Sequence, residues 1–256
     1  MSMATLLSVS GLAKSYQGVR AVDGVSFAVQ SNEIVGIIGP NGSGKSTTVD
    51  CITGFQTADA GDVRLGGTPL QSLAAWQIAR AGLMRTFQTV RVYEQLTLEE
   101  NLLTAMAQFD ATNWLDALFR TQRLRAADTS ARERARTLIE LCGLTRYRDA
   151  PVGILSYGQK KLVALISALM PKPRLVILDE PVAGVNPTRI REIEAAIRLL
   201  RDDGETFLII EHNMEFIMNL CDRVIVFDQG RKLTEGSPAA VHADPRVLEA
   251  YLGVRP

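Results

Sequence analysis

A run of apolar, β-branched residues, Glu33–Ile38, breaks off at Gly39-Pro40-Asn41-Gly42-Ser43-Gly44-Lys45-Ser46 and gives way to a helix-compatible stretch reaching about Thr53. No other feature of the chain restricts its fold as strongly. Strand, glycine-rich turn and helix in this order match G-x-x-x-x-G-K-[ST] over its full length. The glycines let successive backbone N–H groups converge without side-chain obstruction, and the helix N-terminus adds a dipole that favours anions. Such a turn is built to cradle phosphates. Lys45 would place a point charge on the β- and γ-phosphates, the Ser46 hydroxyl would ligate Mg²⁺, and Thr47 could reach the α-phosphate.

The rest of the pattern agrees with an α/β core. Leu6–Lys14, Val25–Val29, Asp62–Leu65 and Leu83–Gln88 read as strands, punctuated by Gly11, Gly18 and Gly24. From Leu98 the period becomes helical, with Leu98, Leu102, Met106, Ala135, Leu138, Ile139 and Cys142 at matching intervals. Within that block, Phe119–Arg148 carries eight Arg against three acids, which reads as the solvated face of helices. Leu162, Leu165, Ile166 and Leu169 mark a further helix. Then α and β alternate: strand Leu175–Leu178, helix Ile190–Leu200, strand Phe207–Ile210, helix Met214–Cys221, strand Val224–Phe227. Short apolar strands separated by helices imply a largely parallel sheet covered on both faces. The expected organisation is a core of residues 1–88 plus 166–256, a helical insert over 89–165, and a tail over 237–256.

Charge and cysteine usage narrow the class. The 256 residues hold 28 basic and 28 acidic side chains, so no overall charge favours nucleic acid as the ligand. No apolar run approaches the ~20 residues of a spanning helix, and Met1–Ser10 lacks the basic and apolar regions of a signal peptide. The chain is expected not to cross a bilayer by itself. Cys51, Cys142 and Cys221 are odd in number, far apart and in no CxxC pair, which reads as reduced thiols.

Two further segments carry chemistry. Four apolar residues, Leu175-Val176-Ile177-Leu178, place Asp179 at the carboxyl end of a strand, where ligands gather in open α/β sheets. There Asp179 can hold Mg²⁺ through water, and Glu180, one residue on, can accept a proton from an attacking water. A small GTPase is excluded, because neither an Asn-Lys-x-Asp nor an Asp-x-x-Gly occurs. The second segment is Leu155-Ser156-Tyr157-Gly158-Gln159. Ser156 is placed as a helix N-cap and Gly158 allows a ligand to approach the backbone. This is a second helix N-terminus able to hold a phosphate. One γ-phosphate is not easily wrapped by both sites of a single subunit, which suggests a nucleotide sandwiched between two copies.

With these motifs in hand, the chain resembles the ATP-binding subunit of ABC transporters from about Leu7 to Gly253. The resemblance implies a P-loop NTPase core with a mainly parallel sheet, N-terminal antiparallel β elements and a helical subdomain insert. It places Tyr16 as the aromatic that stacks on adenine, and Gln88 as the glutamine that touches Mg²⁺ and senses the membrane partner. Ser156 and Gly158 then belong to the signature loop, Ala183-Gly184-Val185-Asn186-Pro187 to the D-loop, and His212 contacts the γ-phosphate. ATP and Mg²⁺ are the implied cofactors. The implied partners are a second cassette, identical or paralogous, transmembrane permease subunits and, indirectly, a periplasmic solute-binding protein, at the cytoplasmic face of the inner membrane.

Finer details are similar to the branched-chain amino-acid importers: Arg85-Thr86-Phe87-Gln88, Tyr157, Glu211-His212-Asn213-Met214 and Glu249-Ala250-Tyr251-Leu252-Gly253. Urea and amide importers, lipid or lipopolysaccharide exporters, and soluble relatives acting on nucleic acid or ribosomes remain alternatives. Asn186, where many members carry Asp, the Lys160-Lys161-Leu162 run, and Ser167, where an Arg is usual, depart from the wider family.

Overall fold

A computed structural model describes residues 5–107 and 122–252. The middle of the predicted helical block, 108–121, and Gly253 lie outside the described residues. The chain divides into two compact units. One runs to Phe87, adds Arg174–Pro181 and resumes at Leu200; the other comprises Gln88–Pro173 and Val182–Leu199.

The first unit contains two sheets. β1 (Thr5–Tyr16), β2 (Val19–Gln30), β4 (Ala60–Leu65) and β5 (Thr68–Pro69) form an antiparallel sheet in the order β2-β1-β4-β5. The second sheet has the order β10-β9-β3-β8-β7-β6, built from β3 (Ile34–Ile38), β6 (Leu83–Arg85), β7 (Leu175–Asp179), β8 (Phe207–Ile210), β9 (Arg223–Asp228) and β10 (Arg231–Gly236). All its pairings are parallel except β9 with β10. Every residue of β3 and β8 is buried, as expected of parallel strands covered on both faces. One apolar cluster joins the sheets: Leu7, Val9, Leu12, Val25 and Val29 share it with Val35, Ile37, Ile177, Leu208, Ile225 and Phe227.

Several elements differ from the expectation. β1 and β2 are longer than predicted, because Gly11 and Gly24 sit in an irregular ladder whose register shifts between Val9 and Leu12 and again between Leu12 and Lys14, while Gly18 lies in the turn that joins the two strands. β10 was not anticipated. Its sequence, RKLTEG, lacks alternation because it is an edge strand paired only with β9. The strand predicted over Leu83–Gln88 stops at Arg85, where Thr86 turns its hydroxyl to accept from the Asp179 N–H, 3.3 Å away.

α1 (Lys45–Ile52), α2 (Ala75–Arg80), α7 (Met214–Leu220), α8 (Pro238–His242) and α9 (Pro245–Leu252) complete this unit. In the second unit α3 (Leu98–Ala107) packs against α4 (Gln122–Leu141) and α5 (Tyr157–Leu169). The four apolar residues that marked α5 are all buried. Arg134 of α4 donates through Nε and Nη2 to the Leu169 carbonyl, at 3.2 and 2.8 Å, so a cation reaches the carboxyl end of the helix that carries Ser167. α6 (Pro187–Asp202) passes from this unit into the first.

Burial just past α4 pushes the Cys142 thiol up to about 12, leaving a thiolate fraction of only about 10⁻⁴ at pH 8. Native protein treated with iodoacetamide at that pH is therefore expected to leave Cys142 unmodified, whereas protein unfolded in guanidinium takes the label. Peptide mass spectrometry reads both states.

Candidate active site

Strand register places the catalytic candidates side by side. Ile37 of β3 pairs with Ile210 of β8, and Ile210 pairs with Asp179 of β7. The chain segments leaving those three strands are the glycine-rich turn, Glu211-His212 and Asp179-Glu180, so all three emerge at the same carboxyl edge.

The turn is shaped by two glycines. Gly44, with φ 96°, precedes α1, and a Cβ there would lie 2.4 Å from the Ala21 carbonyl. Gly39 is equally confined, since a Cβ would fall 2.2 Å from the Phe227 carbonyl. Pro40, Asn41, Gly42 and Ser43 complete the loop, closed by a Ser43 N–H bond to the Pro40 carbonyl at 3.2 Å. Lys45 Nζ folds over it, donating to the carbonyls of Gly39 at 2.8 Å and Pro40 at 2.9 Å and to Ser43 Oγ at 3.4 Å. The ammonium thus spans the mouth of the cradle. Burial pushes its pKa below the ordinary lysine value, and the Glu180 carboxylate partly opposes that. Ser46 and Thr47 lie in the first turn of α1.

Asp179 ends β7, its carboxylate accepting from Arg85 Nη2 at 2.7 Å. Glu180 adopts φ 48°, a left-handed backbone that costs on the order of 1–3 kcal/mol in a non-glycine residue. Its N–H is tied to the Ile210 carbonyl at 2.9 Å. Strain of this kind persists where neighbours over-determine the geometry. Glu180 Oε1 stands 3.7 Å from His212 Nδ1.

His212 is itself held by Glu211, whose side chain is fully buried. Glu211 Oε2 accepts from the backbone N–H groups of His212 at 2.7 Å and Asn213 at 2.9 Å, and lies 3.5 Å from His212 Nδ1. Asn213 in turn caps α7 by accepting from the Phe216 N–H. In the sequence Glu211 stands out only within Glu211-His212-Asn213-Met214. Its position after a wholly apolar strand was the available signal for a buried carboxylate with a positioning role.

Oxygen donors here suit Mg²⁺, which takes hard oxygen ligands, keeps several waters and binds through one or two carboxylates together with substrate phosphates. The Ser46 hydroxyl and the Asp179 carboxylate are of that kind. Tyr16 ends β1 in the same unit and is 42% exposed, and Lys14 Nζ lies 5.5 Å from its ring centroid.

Gln88, Ser156 and Gly158 belong to the second unit. Gln88 is exposed, and its carbonyl accepts from Lys161 Nζ at 2.9 Å, so the unusual Lys at 161 ties the glutamine loop to α5. Ser156 caps α5 as expected, accepting from the Gln159 N–H at 3.4 Å, while Gln159 Oε1 accepts from the Ser156 N–H at 2.9 Å. This reciprocal capping box was legible as S-x-x-Q. Gly158 is buried, and a Cβ there would lie 3.0 Å from Arg189 Cβ and 3.2 Å from Val185 Cγ1. Within this chain its smallness admits the start of α6. Asn186 Oδ1 accepts from the Thr188 N–H at 3.0 Å, a capping bond that an Asp at this position would also make. An open groove of about 720 Å³ in this unit is lined by Arg91, Tyr93, Glu94, Tyr157, Lys160 and Ser167, among others.

Comparison with known proteins agrees with this geometry. The ABC transporter family model matches residues 22–183, and a model described as branched-chain amino acid ATP-binding cassette transporter matches 231–255. The high-affinity branched-chain amino acid transport ATP-binding protein BraF of Pseudomonas aeruginosa is 40% identical over 249 residues, covering 97% of this chain and 98% of that protein. LivG of Escherichia coli, described in the same words, is 39% identical over 249 residues with the same coverage. Among solved structures, a nucleotide-free ATP-binding cassette from an ABC transporter superposes with TM-score 0.83 at 34% identity, covering 98% of this chain and 100% of that one. A cassette in its ADP conformation gives TM-score 0.84 at 34% identity and the same coverage.

Proposed function

Because the chain belongs to the ABC transporter ATP-binding family, an ATPase family, we propose that its ATP hydrolysis energises uptake of branched-chain or closely related amino acids through membrane permeases. The observation that carries hydrolysis is the convergence of the phosphate turn, Glu180 and His212 at the ends of three adjacent parallel strands. The cargo rests on the match at residues 231–255 and on the named transport roles of BraF and LivG.

In this reading the turn from Gly39 to Thr47 receives the phosphates through backbone N–H groups, and Lys45 shifts its ammonium from the Gly39 and Pro40 carbonyls to phosphate oxygens. Tyr16 stacks on adenine. Ser46 and Asp179 would hold Mg²⁺, which would supply positive charge to offset that developing on the phosphates. Glu180 orients the attacking water and accepts its proton. His212, with Nδ1 turned toward Glu180 and Glu211, offers Nε2 to the γ-phosphate. Catalysis is then mainly positioning and electrostatic stabilisation.

Ser156 and Gly158 of a second cassette complete each site, so two subunits close head-to-tail on two nucleotides. The insert over 89–165 carries that signature and transmits closure to permease segments seated near Gln88–Gln95, beside the groove. No helix among the described residues is long and apolar enough to cross a membrane, which fits peripheral attachment at the cytoplasmic face. A periplasmic binding protein delivers the solute to the permeases, and nucleic acid plays no part. The tail over 237–256 is the segment most particular to this branch.

Lys45→Met is expected to lower ATP hydrolysis by about 10²–10³-fold, the usual scale for removing one donor from developing anionic charge. Proteoliposomes containing the cassettes and permeases, with ATP at the cassette side and binding protein outside, should accumulate radiolabelled leucine with the wild type and not with Lys45→Met. Hydrolysis stimulated by urea or by lipid, and not by leucine-loaded binding protein, would overturn the cargo.

A further inference from the structure

Arg85 ends the shortest strand of the parallel sheet, yet its side chain is only 9% exposed. Its guanidinium joins two elements of the nucleotide site. Nη1 donates to Asp50 Oδ1 of α1 at 2.6 Å and to Thr53 Oγ1 at 3.3 Å, and Nη2 donates to Asp179 Oδ2 at 2.7 Å. Phe55 and Phe87 flank it, their rings 5.7 and 5.3 Å from Cζ and edge-to-face with each other. Nε is buried without a partner, and the three bonds the group makes go to the two carboxylates and the threonine. The neighbouring Thr86 accepts the Asp179 backbone N–H. Main chain and side chain of Asp179 are thus both held by adjacent residues of one segment.

We propose that Arg85 is a positioning residue for metal–nucleotide binding, using its two-armed bridge between Asp50 and Asp179 to present the second Asp179 oxygen to the water shell of Mg²⁺. The proposal rests on the reading of Asp179 as the metal-side carboxylate. A carboxylate offers about four acceptor positions; the bond from Arg85 occupies Oδ2 and leaves Oδ1 available. One guanidinium between two carboxylates leaves a net negative charge, so the bridge does not cancel the attraction for a cation. Lysine has no planar fork and cannot reproduce both bonds in the same geometry.

The test compares wild type, Arg85→Met and Arg85→Lys by equilibrium binding of methylanthraniloyl-ATP in EDTA and in excess Mg²⁺. Outer partners that orient a metal's carboxylate are worth about 10–100-fold in metal affinity. Arg85→Met is therefore expected to bind the nucleotide in EDTA as the wild type does and to bind it about 10-fold more weakly in Mg²⁺, with Arg85→Lys between. A merely structural pair would weaken both conditions together. If Arg85→Met does not fold, Arg85→Lys decides alone: a Mg²⁺-specific loss of several-fold supports the bridge, and unchanged Mg²⁺ binding removes it. Tighter Mg²⁺-dependent binding in Arg85→Met would also overturn the proposal, by showing that Arg85 competes with the metal. Wild type that binds no nucleotide in either condition would instead bring down the reading of the site itself.

Discussion

Glu180→Gln is expected to slow ATP hydrolysis by about 10²–10⁴-fold, the range associated with losing a positioned general base, and to accumulate an ATP-bound pair of subunits. Gln is nearly isosteric with Glu and keeps a side chain that suits the same backbone, so the left-handed conformation at φ 48° and the N–H bond to the Ile210 carbonyl should persist. What disappears is the acceptor for the water's proton, together with the negative charge that raises the pKa of Lys45. With binding intact and turnover blocked, the closed pair has no route to open. Light scattering in saturating Mg-ATP should report a dimer for the variant and revert to monomer on removal of nucleotide. A variant that stays monomeric under those conditions would remove the two-subunit sandwich, and residual turnover near wild type would remove Glu180 as the base.

The second large effect is expected at Gly44. Alanine there must hold φ near 96° and place its Cβ 2.4 Å from the Ala21 carbonyl and 3.3 Å from Gly230 Cα, both backbone atoms that cannot swing aside. Left-handed strain alone costs on the order of 1–3 kcal/mol, and relieving the contact requires α1 or β2 to shift. A loss of about 3 kcal/mol in unfolding free energy is anticipated, read from the urea midpoint at constant slope, with nucleotide affinity falling by more than about 100-fold as the loop N–H groups lose their aim. Gly42→Ala is the internal comparison. Its φ is 80°, but nothing lies within 4 Å of the added Cβ, so only the conformational cost of about 1–2 kcal/mol applies. Equal destabilisation by the two substitutions would show that crowding at Gly44 is not what the glycine avoids.

Legibility in the sequence followed how local each signal was. The turn Gly39–Ser46, the apolar strand before Asp179 and the cap at Ser156 are each written within a handful of consecutive residues, and each occupies the anticipated kind of element. α2 and β10 were missed. α2 is six residues with one buried side chain, too short to display a period, and β10 is a charged edge strand with no wholly buried position. The side chains that crowd Gly158 are not local to it: Val185 comes from the turn before α6 and Arg189 from the first turn of that helix.

What the sequence determined by itself was the class of chemistry: a phosphate-binding turn between strand and helix, an acid pair at a strand end, and the α/β alternation that puts both on one sheet. Those follow from hydrophobic periodicity and from backbone conformations open mainly to glycine, both of which act over a few residues. Only the tertiary structure decided which side chains hold these groups in place. Arg85 reaches Asp50 across 35 positions and Asp179 across 94, and Lys161 reaches the Gln88 carbonyl across 73. Such partners are set by strand order and register, here by β6 lying beside β7 with Arg85 opposite Ile177. A charge carries no mark along the chain of the distant opposite charge that burial will force it to meet.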